Sequence, residues 1–293
     1  MREKAPATVN EQIKILKQRG CVFEDEAKAR EILKYINYYR LSNYFEPFSV
    51  SKHKYEEGTS FNKIMRVYEM DRKLRSILMA ALEEVEISLR AVISNYHALK
   101  YGALGYLNPS SFGVQHNHQS FLARINNIVE SSSDRDFVKH YNSKYGGKFP
   151  LWVMAELFSF GTLAFFFNDM QNIDKKTLSD EYYGCSSSEL DNWIFCLNEL
   201  RNYCAHFNRL YATSFPVMPK TPRDFPVELK PDLFGYIIIM KQLFHNKAHW
   251  NERVSKPVSR LVNKNTDDIR LSDMGFPEDW EILLAYIDEE DSE

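Results

Sequence analysis

The chain is poor in the residues that form tight turns. Its 293 residues include only 11 glycines and 11 prolines, and folds built from many short strands need more turn residues than that. Helices need few of them, so this scarcity favours an all-α fold. The length is sufficient for one large domain or two small ones.

Cysteine pairs and long apolar runs are also missing. None of the four cysteines forms a C-x-x-C pair, so we expect no zinc site, no other cofactor, and reduced thiols. The first residues, MREKAPATVNEQ, contain no apolar stretch of a signal peptide. The longest apolar runs, at 163–167 and 236–240, are too short to cross a bilayer. The sequence therefore predicts a cytoplasmic protein that is not embedded in a membrane.

The chain has little net charge, but its basic and acidic residues are unevenly placed. The formal net charge of −3 excludes a globally basic nucleic-acid binder, although it leaves room for a local basic patch. Residues 201–270 hold twelve basic and six acidic side chains, and residues 271–293 hold nine acidic side chains and no basic one. A basic segment beside an acidic tail could attract phosphate. An ordinary solvated surface explains the same counts equally well.

Apolar residues recur at spacings of three and four along most of the chain, which predicts helices. The longest predicted helix, 60–100, has Thr59 or Ser60 as its cap and is expected to be the spine of the fold or part of a dimer surface. Ser186 and Glu189 fit a capping box at the start of another helix. The predicted helices are 9–19, 25–40, 60–100, 119–130, 134–145, 151–170, 189–210, 234–250 and a short one after residue 271.

The predicted elements give a single helical domain in three stretches. Residues 1–57 form an N-terminal helical extension, residues 58–265 form the core bundle, and residues 266–293 form a C-terminal segment with an acidic tail. The helix at 151–170 is apolar nearly all round, so we expect it to be central. Residues 213–233 carry five of the prolines and are predicted to be a loop.

One arginine interrupts the apolar stripe of the helix at 189–210. Arg201 follows Leu197 by four residues, and an arginine on an apolar face needs a partner or a purpose. His206 comes five residues later, which gives the spacing Arg-x4-His. Asn202 adds a short polar group beside the arginine. The three residues lie near a helix end, where a basic segment begins.

Two other arginine–histidine pairs have similar spacing, so spacing alone cannot choose among them. Arg135 and His140 lie in a polar helix and are expected at the surface. Arg90 precedes His97 by seven residues, but it also follows Glu86 by four, which favours a salt bridge along the helix. We interpret Arg90 as structural and place the candidate site at residues 201–206.

The segment RNYCAH at 201–206 resembles the R-N-x3-H form of the HEPN ribonuclease motif. The surrounding chain resembles the Abi-like (abortive infection) family, the AbiD and AbiF group of bacterial phage-resistance proteins. The segments YYRLSNY and MGFPEDW carry this resemblance more specifically than the spacing does. The full set is EQIKILKQRGCVFEDEAKAREILKYINYYRLSNYFEPF at 11–48, VYEMDRKLRSILMAALEEVEISLR at 67–90, PLWVMAELFSFGTL at 150–163 and LSDMGFPEDW at 271–280.

The resemblance implies a HEPN-like helical bundle and a homodimer in which two motifs meet in one cleft. Similarity to the nuclease domains of type VI CRISPR effectors implies RNA as the substrate. The expected activity is metal-independent endoribonuclease cleavage. In it His206 moves protons, Arg201 stabilises the phosphorane and Asn202 positions groups.

A second hypothesis is a non-catalytic partner that holds a small non-coding RNA of defined structure. Tyr39, Arg40 and Tyr44 combine rings with a basic residue, as stacking on RNA requires, and Arg209 lies in the basic segment. These four residues are the predicted RNA contacts. The same rings could instead pack the first helices onto the spine. A third hypothesis is a helical dimerisation module without RNA affinity.

Overall fold

Helices dominate residues 5–286, the part of the chain that the computed structural model describes, and the all-α prediction is confirmed. The N-terminal stretch contains α1 (Val9–Gln18), α2 (Glu26–Tyr35) and α3 (Tyr38–Phe45). The only strands between residues 5 and 286 are β1 (Ser49–Ser51) and β2 (Lys54–Tyr55), which pair antiparallel.

The helix predicted at 25–40 is divided in two. Ile36 is extended, and the Asn37 side chain accepts a hydrogen bond of 2.7 Å from the amide of Tyr39, which starts α3. An asparagine at this position satisfies an amide that the first turn of a helix leaves without a partner. Residues 38–45 therefore form a separate helix that can approach the middle of the chain.

A single uninterrupted helix of 41 residues, α4 (Phe61–Tyr101), is the spine of the fold, as predicted. The Ser60 side chain caps it by accepting a hydrogen bond from the amide of Lys63. Its apolar stripe is buried along the whole length, and α3, α7, α10 and α13 pack around it. Because so many neighbours share this helix, residues distant in sequence meet on its surface.

The central part of the chain contains five helices. They are α5 (His118–Ser131), α6 (Asp136–Tyr145), α7 (Leu151–Met154), α8 (Phe160–Asp169) and α9 (Asn172–Tyr183). The helix predicted at 151–170 is broken by a 3-10 turn at Ala155–Leu157 and by Ser159, whose side chain caps α8. Helix α9 was not among the predicted helices, because its sequence, NIDKKTLSDEYY, has few apolar residues to set a period.

The remaining helices are α10 (Ser187–Ala205), α11 (Leu233–Leu243), α12 (Lys247–Trp250), α13 (Lys256–Asn263) and α14 (Trp280–Leu284). A π-turn at Asn251–Ser255 joins α12 to α13. The predicted capping box of Ser186 and Glu189 is confirmed at the start of α10, but the helix ends five residues before the predicted boundary. Helix α11 is buried nearly all round, whereas α8 exposes Phe165. The central apolar helix is therefore α11.

Buried apolar residues from the N-terminal, middle and C-terminal stretches belong to one contiguous core. Ile13 lies in the first stretch, Leu78 and Ile238 in the second, and Trp280 in the third. The last residues of the predicted acidic tail, 287–293, lie outside the described part of the chain. Among residues 5–286, no helix combines the length and the apolar character needed to cross a bilayer.

Candidate functional site

The motif residues lie at the C-terminal end of α10, which closes with two backbone hydrogen bonds beyond the helix. The amide of Asn208 donates to the carbonyl of Tyr203 over 2.9 Å, and the amide of Phe207 donates to the carbonyl of Cys204 over 3.2 Å. This pair of bonds is the Schellman ending, which satisfies carbonyls at a helix terminus. His206 is the C-cap and its side chain is exposed.

The Schellman ending places Phe207 in the left-handed region of backbone conformation, with φ of 58°. Glycine usually occupies this position, because any other side chain crowds the backbone there. A bulky residue in this conformation costs on the order of 1–3 kcal/mol and persists only where its surroundings hold it. The ring of Phe207 is 65% exposed, so burial of the ring does not offset that cost.

Two arginines hold the backbone that follows α10. Arg40 on α3 donates to the carbonyl of Phe207. Arg75 on α4 donates to the carbonyl of Asn208 over 3.0 Å. Because a charged donor makes a stronger hydrogen bond than a neutral one, these contacts fix the position of the chain immediately after His206.

A buried carboxylate anchors the next two residues. Asp71 on α4 is fully buried and accepts hydrogen bonds from the amides of Leu210, over 3.1 Å, and Tyr211, over 2.8 Å. It also accepts from the hydroxyl of Tyr44, over 2.7 Å, and from the guanidinium of Arg75. Burial raises the pKa of Asp71, and these donors oppose the rise. This network ties the loop after α10 to the spine.

The predicted RNA contacts divide into exposed and engaged residues. Tyr39 is 76% exposed, but Tyr44 is only 1% exposed and is part of the Asp71 network, so its ring offers no face to a base in this structure. Arg209 donates to the carboxylate of Glu46 over 3.1 Å and to a backbone carbonyl of α3. Arg40 likewise holds a backbone carbonyl. The structure thus brings α3 to the candidate motif, mainly through structural contacts.

Arg201 faces α4, where it shares a carboxylate with a second arginine. Its Nε lies 3.7 Å from Oε2 of Glu86, which is an ion-pair distance but too long for a hydrogen bond. The other carboxylate oxygen accepts from Nη2 of Arg90 over 2.7 Å, and the same nitrogen donates to the carbonyl of Phe158 over 3.1 Å. The predicted Glu86–Arg90 pair is confirmed, and Glu86 is also the partner that Arg201 needs on an apolar face.

Both arginines keep an unsatisfied donor beside Glu86. The Nε groups of Arg90 and Arg201 are buried and have no hydrogen-bond acceptor among residues 5–286. The side chain of Arg201 as a whole is 32% exposed. The cluster of two cations and one anion carries a net positive charge that can attract a phosphate.

Arg201 and His206 do not converge on one face of α10. The helix is regular through Ala205, so a step of five residues turns about 140° and rises about 7.5 Å. No bulge interrupts α10; the π-turn of the fold lies elsewhere, at Asn251–Ser255. Asn202 is half-buried, and its side chain makes no hydrogen bond within residues 5–286. Within one chain, the imidazole of His206 and the guanidinium of Arg201 thus start from different faces of α10.

The two other arginine–histidine pairs lie in different surroundings. Arg135 and His140 are exposed, as predicted. His97 is fully buried among aromatic rings, and neither ring nitrogen has a hydrogen-bond partner within residues 5–286. Burial lowers the pKa of His97 to about 4, so it is neutral at physiological pH. A buried histidine without hydrogen bonds has no route to a substrate in this structure.

Metal and thiol chemistry have no obvious place in the described structure. Between residues 5 and 286, no group of three or more histidine, cysteine or carboxylate side chains is arranged to hold a metal ion. All four cysteines are free. Burial raises the pKa of Cys196 and of Cys204 to about 12, which keeps these thiols protonated and unreactive.

Sequence reasoning missed three features of this site. Asp71 looked like one of many charged residues of the spine, and only its position opposite the loop makes it an anchor. The approach of Glu86 to Arg201 joins residues more than one hundred positions apart, which no local spacing reveals. The left-handed conformation of Phe207 had no signal in the sequence, because glycine is the residue that marks such a position.

Comparison with known protein families gave a match that covers much of the chain. The sequence profile of the Abi-like protein family matches residues 31–212, which is more than half of the chain and includes the motif at 201–206. The segment 271–280 lies outside the match. Searches among curated proteins and among solved structures found no match. By the extent of the profile match, this chain belongs to the Abi-like protein family.

Proposed function

We propose that this chain is a cytoplasmic, metal-independent endoribonuclease of the HEPN type that acts in abortive infection. Membership of the Abi-like family supports the role in abortive infection. The observation that carries the nuclease proposal is the presentation of His206. Its imidazole is exposed at the end of α10, and Arg40, Arg75 and Asp71 hold the backbone that follows. The side chain of Arg201 on the same helix is partly exposed.

The residues support a transesterification on RNA. His206 takes the proton of a ribose 2′-hydroxyl, and the 2′-oxygen attacks the adjacent phosphorus. Arg201 stabilises the extra negative charge on the phosphorane. The bond to the 5′-oxygen then breaks, and that oxygen receives a proton. The products carry a 2′,3′-cyclic phosphate and a 5′-hydroxyl.

The divergence of Arg201 and His206 on α10 favours a homodimer as the active form. A single histidine can give the leaving oxygen only the proton that it has just taken, whereas two histidines can act as base and acid at the same time. If two copies place their α10 ends together, one copy can supply the base and the other the acid and an arginine.

The direct test compares the wild-type protein with His206→Ala and His140→Ala, each incubated with total cellular RNA and EDTA. His140 is the exposed histidine of another arginine–histidine pair and serves as the matched control. We expect cleavage by the wild type and by His140→Ala, none by His206→Ala, and cyclic phosphates at the new ends. Products with 5′-phosphates, or full activity of a folded His206→Ala variant, would show that this chemistry is wrong.

A second candidate function, the non-catalytic binding of a small structured RNA, is favoured by the exposed ring of Tyr39 beside Arg40. Aromatic rings near a guanidinium can stack on unpaired bases. This function predicts RNA that co-purifies with His206→Ala as well as with the wild type, and less RNA with Tyr39→Ala. The absence of cleavage by the wild type together with such co-purification would favour it over the nuclease.

A further inference from the structure

Phe207 combines a strained backbone with an exposed ring next to His206. Its φ of 58° lies where glycine is favoured, and its ring is 65% exposed. Ala212 is the other non-glycine residue with positive φ among residues 5–286, and its side chain is only a methyl group. Neither packing nor backbone preference explains a phenylalanine at position 207. The ring therefore has a role outside the contacts of the single chain.

The surroundings of the ring indicate what it contacts. Arg40 donates to the carbonyl of Phe207, and its guanidinium lies 5.9 Å from the ring centre of Tyr68. Tyr39, the neighbour of Arg40 on α3, is exposed. The backbone of Phe207 thus contacts the cation Arg40, and the helix that carries Arg40 also carries a second exposed aromatic side chain. Such a combination suits single-stranded RNA, because bases stack on rings while phosphates approach the cations.

We infer that the ring of Phe207 stacks on a base of the RNA adjacent to the phosphate that His206 approaches. This role rests on the proposed function, since it requires RNA at the end of α10. The fixed backbone places the ring within one residue of the imidazole, so a stacked base sets the register of the strand at the cleavage point. Phe207 is then a positioning residue, and the favoured base at that point follows from stacking strength.

The test uses variants that separate the ring from the fold. Phe207→Gly removes the ring and relieves the left-handed strain, so its melting temperature is expected to equal or exceed that of the wild type. Phe207→Tyr keeps a ring. Tyr182→Ala, which removes an exposed ring from α9, is the control. Binding is measured by fluorescence anisotropy with a 2′-O-methyl single-stranded RNA, which cannot undergo 2′-hydroxyl attack, and with a series of abasic versions of it.

We expect Phe207→Gly to raise the Kd for the intact oligonucleotide on the order of tenfold. Phe207→Tyr and Tyr182→Ala should bind it as tightly as the wild type does. One abasic position should weaken wild-type binding to the same degree and have no added effect on Phe207→Gly, as expected for two groups that contact each other. Equal binding by Phe207→Gly and the wild type, additive effects at every abasic position, or no RNA binding by the wild type would overturn the inference.

The outcomes also separate this role from the proposed chemistry and from a protein contact. Loss of cleavage in His206→Ala together with unchanged binding by Phe207→Gly refutes only the stacking role. Binding that depends on Phe207 while His206→Ala still cleaves refutes only the chemistry. Sedimentation of each variant is measured in parallel, and a dimer that dissociates when the ring is removed would assign Phe207 to contact between copies and overturn the stacking role.

Discussion

Replacement of Asp71 by asparagine tests whether the buried network holds the end of α10. Asparagine keeps the shape of the side chain but removes the charge opposite Arg75, and an NH2 group, which donates hydrogen bonds, replaces one of the two acceptor oxygens. The amides of Leu210 and Tyr211 then compete for one oxygen, and the guanidinium of Arg75, only 5% exposed, loses its counter-ion.

The size of the effect follows from the burial of the pair. Breaking a buried ion pair by changing one partner costs about 3–5 kcal/mol. Unfolding of a globular protein carries an entropy of about 2.1 cal/mol/K per residue, so this loss lowers the melting temperature of a chain this long by about 5–8 °C. Since the carboxylate anchors the loop after His206, we also expect Asp71→Asn to cleave RNA more slowly at temperatures where it remains folded.

Thermal unfolding followed by circular dichroism measures the first effect, and cleavage of a labelled RNA at 25 °C measures the second. Glu69→Gln is the matched control, because Glu69 pairs with Arg72 on the exposed side of the same helix. An exposed pair contributes about 0–1 kcal/mol, so its melting temperature should change by less than about 2 °C. If Asp71→Asn melts no lower than this control, the network does not hold the loop and the reasoning is wrong.

Three further variants test other parts of the structure. Since the pKa of His97 is lowered to about 4 from an ordinary value near 6.5, its neutral form stabilises the fold above pH 6.5. That stability is lost as pH falls towards 4, by about 3 kcal/mol, so the loss between pH 7 and pH 4 in denaturant unfolding should be larger by this amount in the wild type than in His97→Phe. Gly275→Ala places a methyl group 2.0 Å from the carboxylate of Asp232, which caps α11, at a residue with φ of +81°. We expect a loss of about 2 kcal/mol or more, read from the melting temperature, and no loss would contradict the close contact. Glu86→Gln removes the anion that separates two arginines, so we expect cleavage to fall at least about tenfold while RNA affinity does not weaken. The control is Glu84→Gln, which should leave both quantities unchanged because Glu84 pairs with Arg253 instead. Equal behaviour of the two variants would contradict a role for Glu86 in positioning Arg201.

The helices were largely predictable from the sequence because their signals are local. The spine α4 has an unbroken period and a serine cap, and the start of α10 has a capping box, so both were located correctly. The helix breaks were harder to predict. Asn37 and Ser159 each start a new helix by capping it, but the apolar period continues across both positions. A side chain that can cap looks the same in a sequence as one that points to solvent.

The site was only partly predictable, because its contacts connect distant positions. Hydrophobic periodicity correctly predicted that Arg201 needs a partner, because it places this arginine on an apolar face. Helical spacing correctly predicted the pair of Arg90 and Glu86. The sequence could not predict that one carboxylate serves both arginines. That result depends on how α10 crosses α4, and the crossing is set by side chains along the whole length of both helices.

The four segments that carry the Abi-like resemblance include residues that lie around α10. Each of them contributes a polar group to the contacts around the candidate motif, although none contains Arg201 or His206. The groups are Tyr44 from the first segment, Asp71, Arg75, Glu86 and Arg90 from the second, the carbonyl of Phe158 from the third, and Asp273, which accepts from the hydroxyl of Tyr211, from the last.

This distribution has a consequence for the proposed catalysis. Reaction geometry must be held within fractions of an ångström, and an exposed histidine at a helix end has few contacts of its own to hold it. Its position must come from the backbone that follows it, which Arg40 on α3 and Asp71 and Arg75 on α4 hold by hydrogen bonds. A substitution in any of them should therefore reduce cleavage in proportion to how far it loosens residues 207–211. The proposed chemistry uses one short segment, whereas the precision that it requires depends on α3 and α4.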